Sequence, residues 1–282
     1  MPAPQLVRMM SHGVTLLGDT TCPGGVAFAF TERTGGVSSG CHASLNLGAS
    51  CGDAPELVAE NRRRVLEAIG ALDCADALIT TAQVHGDRVL VIGPQAMTPS
   101  EARQAGREGA DAVVCTQPDV PVLLCFADCV PVILVAPSAF AVIHSGWRGT
   151  LARIAGKAFA ALVDAAACEP DDVRCYVGPH VGPDDYEVSR ELCDRFVDSF
   201  GPGVRVGERN LDLHVAIVAA LVDAGAREDS IAHANVSTAS HVDRFYSYRA
   251  SGGTCGRHGA IACLRRVHHA TVLGGSRTME VV

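Results

Sequence analysis

The stretch "VPVLLCFADCVPVILVAP" (residues 120–137) is the most apolar part of the chain and the strongest indication of its fold. The valine, leucine and isoleucine residues on both sides of "ADCVP" are typical of strands that are buried on both faces. The pattern therefore predicts two strands with a break at residues 127–131. Because Pro131 has no backbone N–H, we expect it to end or bulge the second strand and to turn Cys129 out of it.

Strand and helix patterns alternate on both sides of this stretch. Further strands are predicted over residues 25–33, 77–93 (two strands and a short turn), 111–116, 139–147, 173–179 and 258–267. Helices are predicted over residues 53–71 (capped by Asp53), 150–166, 189–200 and 212–225. This order predicts an α+β (α/β-like) fold, in which helices pack on a mixed central β-sheet. We expect one domain over residues 25–282, and residues 1–24 match no recognisable element.

The composition limits the classes of function. The chain has 282 residues, 48% of them hydrophobic, and a formal net charge of −8. An acidic chain is a poor partner for a nucleic-acid backbone, although local arginines can still bind a small anion. Neither a signal peptide nor an apolar run long enough to span a bilayer is recognised. We therefore predict a cytoplasmic protein that binds neither nucleic acid nor membrane.

Twelve cysteines are scattered along the chain. None of them forms a C-x-x-C pair, so neither a zinc ribbon nor a thioredoxin-type redox centre is indicated. Most of them lie in apolar runs and are expected to be small core residues. Cys129 differs, because it lies next to Asp128 at the predicted break between two strands.

Three candidate ligands lie where a predicted strand meets a turn. His85 precedes a glycine in "QVHGD", Cys129 lies in "FADCVP", and His144 lies two residues before Gly146 in "VIHSGW". Two imidazoles and a thiolate suit zinc, and three protein ligands leave a fourth position for water or substrate. The spacing also allows a simpler interpretation, with a turn histidine, a core cysteine and a histidine bonded to a backbone carbonyl.

Several segments, in order, resemble the laccase-domain family, whose members are also called YfiH-like. These segments are "FTERTGGVSSGCHASLNLG", "AQVHGDRV", "ADAVVCTQPDVPVLLCFADCVPVILVAP", "VIHSGWRGT", "YVGPHVGPDDYEV" and "FYSYRASGGTCGR". The resemblance runs from about residue 25 to residue 265. It implies that His85, Cys129 and His144 carry a metal ion and the catalytic activity.

The resemblance also implies a reaction. Members of the family are described as zinc-dependent purine nucleoside phosphorylases, with adenosine deaminase and methylthioadenosine phosphorylase activities besides. The expected partners are thus a purine nucleoside and phosphate, and the expected cofactor is zinc, with copper as the other possibility. We expect a monomer or a homodimer.

Arginines in glycine-containing motifs are the candidate phosphate ligands. They are Arg33, Arg148, Arg249 and Arg257. Arginine suits this role because its guanidinium forms bidentate, charge-assisted hydrogen bonds with phosphate oxygens. For any one of them the alternative is a surface salt bridge.

Other polar and aromatic residues are candidates for contacts near the substrate. Asn46 in "SLNLG" suits a base or a ribose hydroxyl, or else a turn. Trp147 and Tyr246 suit stacking on a purine, or core packing. Asp128 suits an acceptor for a ligand histidine, or else a turn cap.

Two other enzyme classes stay open at this point, and so does a non-enzymatic role. A cysteine hydrolase would use Cys129 as its nucleophile and His85 or His144 as its base. A copper-dependent polyphenol oxidase is less favoured, since multicopper centres use His-x-His pairs and the 11 histidines here form none. The third alternative is a regulatory or scaffold protein with a structural zinc.

Overall fold

The computed structural model describes residue 1, residues 3–266 and residues 280–281. The helices in this part of the chain are α1 (Pro55–Ala68), α2 (Pro99–Glu108), α3 (Trp147–Leu151), α4 (Ile154–Ala166), α5 (Arg190–Phe200) and α6 (Leu213–Asp223). The strands are β1 (Val7–Ser11), β2 (Val14–Gly18), β3 (Val26–Thr31), β4 (Val89–Ile92), β5 (Ala112–Cys115), β6 (Val122–Phe126), β7 (Val130–Ala136), β8 (Ala139–Ser145), β9 (Arg174–Val177), β10 (Arg205–Val206), β11 (Asn210–Leu211), β12 (Ile231–His233), β13 (His258–Leu264) and β14 (Glu280–Val281).

The strands form two six-stranded sheets and a short hairpin of β10 and β11. The first sheet has the order β14-β1-β2-β3-β13-β6 and is antiparallel. The second has the order β12-β9-β7-β8-β5-β4 and is mixed, with β12–β9 and β4–β5 parallel. The predicted mixed α/β fold in a single domain is confirmed. The strands that were expected in one central sheet are divided between two sheets.

The two sheets pack face to face through aromatic and branched side chains. Phe28, Phe126, Ile133, Phe140 and Tyr176 belong to one buried cluster between them. Helices α4 and α6 cover the outer face of the second sheet. Helix α1 covers the outer face of the first sheet. Each sheet is therefore shielded on both faces, as its apolar strands require.

The chain crosses from the first sheet to the second between β6 and β7. Residues 127–129 make the crossing, so Asp128 and Cys129 lie at the junction of the two sheets. The expected role of Pro131 is wrong, because β7 continues through it and its carbonyl accepts the N–H of Gly178 at 2.9 Å. The bend is made by Asp128, whose backbone has φ 84°.

Other predicted elements differ in their details. Over residues 77–93 the only strand is β4, and His85 lies in a loop. Helix α2 was not predicted, although Thr98 and Glu101 form a capping box at its start. Arg153, with φ 58°, divides the predicted helix 150–166 into α3 and α4.

Further differences from the prediction lie in the first strands, at the start of α1 and in the last predicted strand. Residues 7–18, which the sequence left unassigned, form β1 and β2 of the first sheet. Asp53 does not cap α1, since the helix begins after Ala54 without a side-chain cap. The predicted strand 258–267 is observed as β13, and residue 267 lies outside the described residues. Across the described residues, every helix is too short or too polar to cross a bilayer.

Candidate metal centre and active-site cleft

Three side chains from three separate segments meet at one point. One ring nitrogen each of His85 and His144 and the sulfur of Cys129 all lie within 4.8 Å of one another. The two imidazole rings are nearly perpendicular, with centroids 4.9 Å apart and an interplanar angle of 80°. The structure thus brings together the three residues that the sequence analysis assigned to one site.

Cys129 is positioned by the turn between β6 and β7. The carboxylate of Asp128 accepts hydrogen bonds from the hydroxyl of Thr238 at 2.7 Å and from the backbone N–H of Arg249 at 2.6 Å. Its carbonyl accepts the backbone N–H of Val181 at 3.0 Å. Asp128 therefore fixes the turn, and its carboxylate is not the acceptor for either histidine.

Asp111 is the acidic residue that contacts the histidines, and it was not among the predicted site residues. His144 is 3% exposed near the end of β8, and its Nδ1 lies 2.7 Å from a carboxylate oxygen of the fully buried Asp111. The same carboxylate accepts the backbone N–H groups of His85 and Gly86 at 2.9 and 2.8 Å. The signal for this role was an acid directly before the apolar strand "AVVC".

His85 is held by its backbone rather than by a strand. Its φ of 59° lies in the left-handed region, and its side chain is exposed to the cleft. The backbone N–H groups of His85 and Gly86 donate to the carboxylate of Asp111, and these bonds hold the backbone in place. One buried carboxylate therefore orders both histidines of the cluster.

Gly146 leaves the space in which the cluster forms. A Cβ atom at this position would lie 2.8 Å from Cδ2 of His85 and 3.3 Å from the sulfur of Cys129. No real Cβ approaches another atom as closely as 2.8 Å without displacing it. The glycine of the "HSGW" motif is thus required by the packing of the cluster and not by its φ of −74°.

Cys129 and His144 shift each other's ionisation. Burial favours the neutral thiol, but the positive charge of His144 and hydrogen bonds from both histidines lower the pKa of Cys129 to about 6. Burial also disfavours the imidazolium, but Cys129 and Asp111 raise the pKa of His144 to about 9. This lowered pKa favours the thiolate at neutral pH, which is the form that binds metals and attacks electrophiles.

The cluster fits a zinc ion. Zinc takes imidazole nitrogen and thiolate sulfur in tetrahedral geometry, and a site with three protein ligands keeps one position open. The bond between Asp111 and Nδ1 of His144 leaves Nε2 of that ring for the metal, which is the usual arrangement around a zinc-binding histidine. His85, Cys129 and His144 are therefore the residues that can hold a metal.

The cluster lies in a cleft of about 910 Å³. Five arginines line this cleft: Arg62, Arg107, Arg148, Arg249 and Arg257. Among the described residues that line it, Asp128 is the only acid, and its carboxylate is already bonded within the turn. The cleft is therefore strongly cationic in a protein whose net charge is −8.

Three of the four predicted arginines line the cleft. The guanidinium of Arg148 lies 4.2 Å from the ring centre of Trp147. Arg249 donates to the carbonyl of Glu187 at 2.9 Å, and Arg257 donates to the carbonyl of Cys255 at 2.7 Å. Each of the last two keeps further N–H groups for a ligand, since a guanidinium has five.

Arg33 and Asn46 lie outside the cleft lining, so the structure does not support the substrate contacts predicted for them. The guanidinium of Arg33 donates to the carbonyls of Ala43 and Val242 and covers the ring of Tyr246. Asn46 is fully buried, and its side chain bonds Asp53 and neighbouring backbone groups. Both residues hold loops in place.

Aromatic side chains line the cleft beside the cluster. They are Trp147, Tyr186 and Tyr248. The predicted role of Tyr246 in stacking on a purine is not supported, because it is buried and its hydroxyl donates to the carbonyl of His42. Tyr186, Tyr248, Arg62 and Arg107 were missed, since nothing in the local sequence shows that they face the same cleft.

Comparison with families and curated proteins gives consistent matches. A family model described as multi-copper polyphenol oxidoreductase laccase matches residues 27–265. A Deinococcus radiodurans protein named purine nucleoside phosphorylase is 36% identical over 246 residues, which are 86% of this chain and 90% of that protein. Purine nucleoside phosphorylase YlmD of Geobacillus stearothermophilus is 32% identical over 273 residues, 90% of this chain and 95% of that protein.

Solved structures match the fold over nearly the whole chain. The crystal structure of YlmD from Geobacillus stearothermophilus has a TM-score of 0.81 at 28% identity and covers 93% of this chain and 100% of its own. That of the hypothetical protein YfiH from Bacillus licheniformis has a TM-score of 0.79 at 25% identity, with coverages of 90% and 97%.

Proposed function

The chain belongs to the family described as multi-copper polyphenol oxidoreductase laccase, and from that premise we propose that it is a zinc-dependent purine nucleoside phosphorylase. The reaction converts adenosine, inosine or guanosine and phosphate into the free base and ribose 1-phosphate. The observation that carries the proposal is the cluster of His85, Cys129 and His144 in a cleft lined by arginines. The names of the relatives agree with this reaction.

The arginines supply what a phosphate nucleophile needs. In phosphorolysis a phosphate oxygen forms a bond to C1′ of the ribose, while the bond from C1′ to the purine nitrogen breaks and the base leaves with that electron pair. Arg148 and Arg249 line the cleft with the cluster and are the proposed phosphate ligands. Their guanidinium groups would bind the phosphate oxygens and hold the anion near C1′.

The aromatic side chains give the purine a place to bind. Trp147, Tyr186 and Tyr248 line the same cleft and offer flat faces for a base. Arg249 lies over the ring of Tyr186, with its guanidinium carbon 5.2 Å from the ring centre. A base that stacks here would therefore lie beside the proposed phosphate ligands.

His85, Cys129 and His144 would hold the zinc ion, with Asp111 fixing His144 and the backbone of His85. A bound zinc ion would supply a Lewis acid for an oxygen nucleophile, either phosphate or water. With water as the nucleophile, the same cleft would support deamination of adenosine. With phosphate as the nucleophile, a purine nucleoside that carries a 5′-methylthio group is a further substrate to assay. Both are proposed as additional activities.

A copper-dependent polyphenol oxidase is less consistent with the site. Multicopper centres need many histidines, and among the described residues that line the cleft His85 and His144 are the two that are present. Metal analysis that reports zinc and copper together tests this choice. An excess of bound copper with turnover of phenols would replace the proposed activity.

A cysteine hydrolase is the second candidate, and a specific geometry favours it. Cys129 would be the nucleophile, His144 the base and Asp111 the acid that orients the base. Nδ1 of His144 lies 2.7 Å from the carboxylate of Asp111. In that enzyme the thiolate attacks a carbonyl carbon directly. The cysteine would then need to be free of metal.

Removal of the metal separates the two candidates. Protein purified without added metal is assayed with inosine, in the presence and absence of phosphate, for hypoxanthine and ribose 1-phosphate. Under the proposal, turnover needs phosphate, stops after treatment with a strong chelator and returns with zinc. Chelation would also expose Cys129 to alkylation. Full turnover of inosine by the metal-free protein would overturn the role of zinc. Hydrolysis of a p-nitrophenyl ester by the metal-free protein, lost on alkylation, would favour the hydrolase instead.

A further inference from the structure

The cleft extends beyond the metal centre into a second region, which we call the outer arm. We give this name to the part of the cleft lining that consists of Arg62, Arg107, Arg257 and residues 48–50 and 80–81. The proposed phosphorolysis uses Arg148 and Arg249 for phosphate. The outer arm therefore contains positive charge that the proposed reaction leaves without a partner.

Arg62 and Arg257 meet at the loop around Leu47 and Gly48. Arg62 donates from Nε and Nη2 to the carbonyl of Leu47, at 3.0 and 2.8 Å, which leaves Nη1 for a ligand. A Cβ at Gly48 would lie 2.7 Å from Cγ of Arg257, so this arginine packs directly on the loop. The thiol of Cys125 donates to the same carbonyl of Leu47 at 3.4 Å, so Arg62 and Cys125 meet at this group.

Arg107 is the third arginine of the outer arm. It lies in the last turn of α2 and is exposed, and within the described part of the chain its guanidinium has neither a hydrogen bond nor an ion pair. The neighbouring Gly106 packs on Thr80 and Thr81, which also line the arm. A free guanidinium at the rim of a cationic cleft is suited to an incoming anion.

The outer arm and the metal centre are separate positions along one cleft. Leu123 and Cys125 of β6 both line the cleft, because side chains two residues apart in a strand lie on the same face. Cys125 precedes Cys129 by four residues, so the chain separates the two positions by at most about 13 Å. The volume of about 910 Å³ lies near the upper end of the range for small-molecule sites.

We propose that the outer arm is a second anion subsite, which binds the 5′-phosphoryl group of a purine nucleoside 5′-monophosphate. The proposal rests on the proposed function for the position of the ribose at the metal centre. With C1′ facing that centre, the 5′ carbon is free to point along the cleft toward Arg62, Arg107 and Arg257. The substrate class would then include nucleotides as well as nucleosides.

Calorimetric titration with inosine, inosine 5′-monophosphate and inorganic phosphate tests the subsite on the zinc-loaded protein. We expect the nucleotide to bind about tenfold more tightly than the nucleoside, from charge-assisted hydrogen bonds that the nucleoside lacks. Arg107→Gln and Arg62→Gln should each reduce that ratio about threefold to tenfold. Arg103→Gln is the matched control, since Arg103 also lies on α2 but donates to the carbonyl of Asp76 and does not line the cleft.

The outcomes separate this proposal from the proposed function. Equal affinity for nucleotide and nucleoside, or an unchanged ratio in both variants, would overturn the subsite even if phosphorolysis is confirmed. Loss of inorganic phosphate binding in Arg107→Gln, with the ratio unchanged, would assign the arm to the phosphate co-substrate instead. Binding of the nucleotide in a protein that does not cleave nucleosides would support the subsite and overturn phosphorolysis. Binding of neither purine would overturn both. Arg107 is exposed, so its variant folds even if Arg62→Gln does not.

Discussion

The carboxylate of Asp111 holds Nδ1 of His144 at 2.7 Å and carries no exposed surface. The same group accepts the backbone N–H of His85 at 2.9 Å. Burial raises the pKa of this carboxyl, but the bond and charge of His144 and the two backbone N–H groups outweigh burial and lower it. Asp111 therefore stays ionised and determines which nitrogen of His144 faces the cluster.

Asp111→Ala is expected to weaken zinc binding about 10–100-fold, because His144 loses its orientation and the loop of His85 loses its anchor. Competition with a chromogenic chelator measures the affinity directly, without any assay of turnover. Asp87→Asn is the control, since Asp87 is exposed and pairs with Lys157. Unchanged zinc affinity in Asp111→Ala would show that the ligands are oriented without this carboxylate.

Gly146→Ala is expected to damage the site more than the fold. The added Cβ would come within 2.8 Å of the ring of His85, which is exposed and can move. Displacing a ligand by a fraction of an ångström costs about 10–100-fold in activity, whereas the melting temperature should change little. Gly203→Ala is the matched control, because its Cβ would meet only Val215, at 3.8 Å. Equal activity of the two variants would exclude the steric role of Gly146.

Much of the site was predictable because its ligands lie in short motifs. Local patterns indicated the apolar strands β6 and β7, the break between them and the three ligands. For Asp111 the sequence offers only a weak local signal, an acid directly before an apolar strand. Its role depends on β5 pairing with β8, which places Asp111 beside His144. Such pairing joins residues far apart in the sequence, and no local pattern records it.

The division into two sheets has the same cause. β6 and β7 are consecutive and similar in composition, yet β6 pairs with β13 and β7 pairs with β8 and β9. Arg33 shows the limit for side chains. Its motif resembles that of a ligand-binding arginine, but the direction of the guanidinium depends on the fold, and here it points to backbone carbonyls.

Acid is expected to destabilise the protein through buried histidines. Burial lowers the pKa of His180 to about 4 and the pKa values of His233 and His258 to about 3, from 6.5 in the unfolded chain. Below about pH 6.5 the unfolded chain therefore binds protons that the folded chain does not. The contribution of these histidines to the free energy of unfolding is fully present above that pH. It decreases as the pH falls toward the pKa in the folded state, by about 2 kcal/mol per histidine between about pH 7 and about pH 5.

His258→Leu tests this pH dependence. Both ring nitrogens of His258 are buried without a hydrogen-bond partner among the described residues, and the ring lies between Phe126 and Phe245. The free energy of unfolding of this variant is measured with urea at about pH 7 and about pH 5. Its decrease between the two pH values should be about 2 kcal/mol smaller than the decrease in the wild type. The exposed His241→Gln should keep the wild-type loss. The same loss in all three proteins would mean that His258 binds its proton equally in the folded and unfolded states.

Arg148 and Arg195 offer a matched pair for testing the phosphate site. Both guanidinium groups lie over the ring of Trp147, at 4.2 and 5.9 Å from its centre, but of the two only Arg148 lines the cleft. Arg148→Gln should raise KM for phosphate about tenfold, because a charge-assisted hydrogen bond to the anion is lost. Arg195→Gln should leave KM for phosphate unchanged, since it removes a similar contact with Trp147 but no group that faces the substrate. Initial rates at saturating inosine and varied phosphate give both constants. A fall in kcat with no change in KM for phosphate would place Arg148 at the reacting bond, and equal effects of the two substitutions would attribute both to the packing of Trp147.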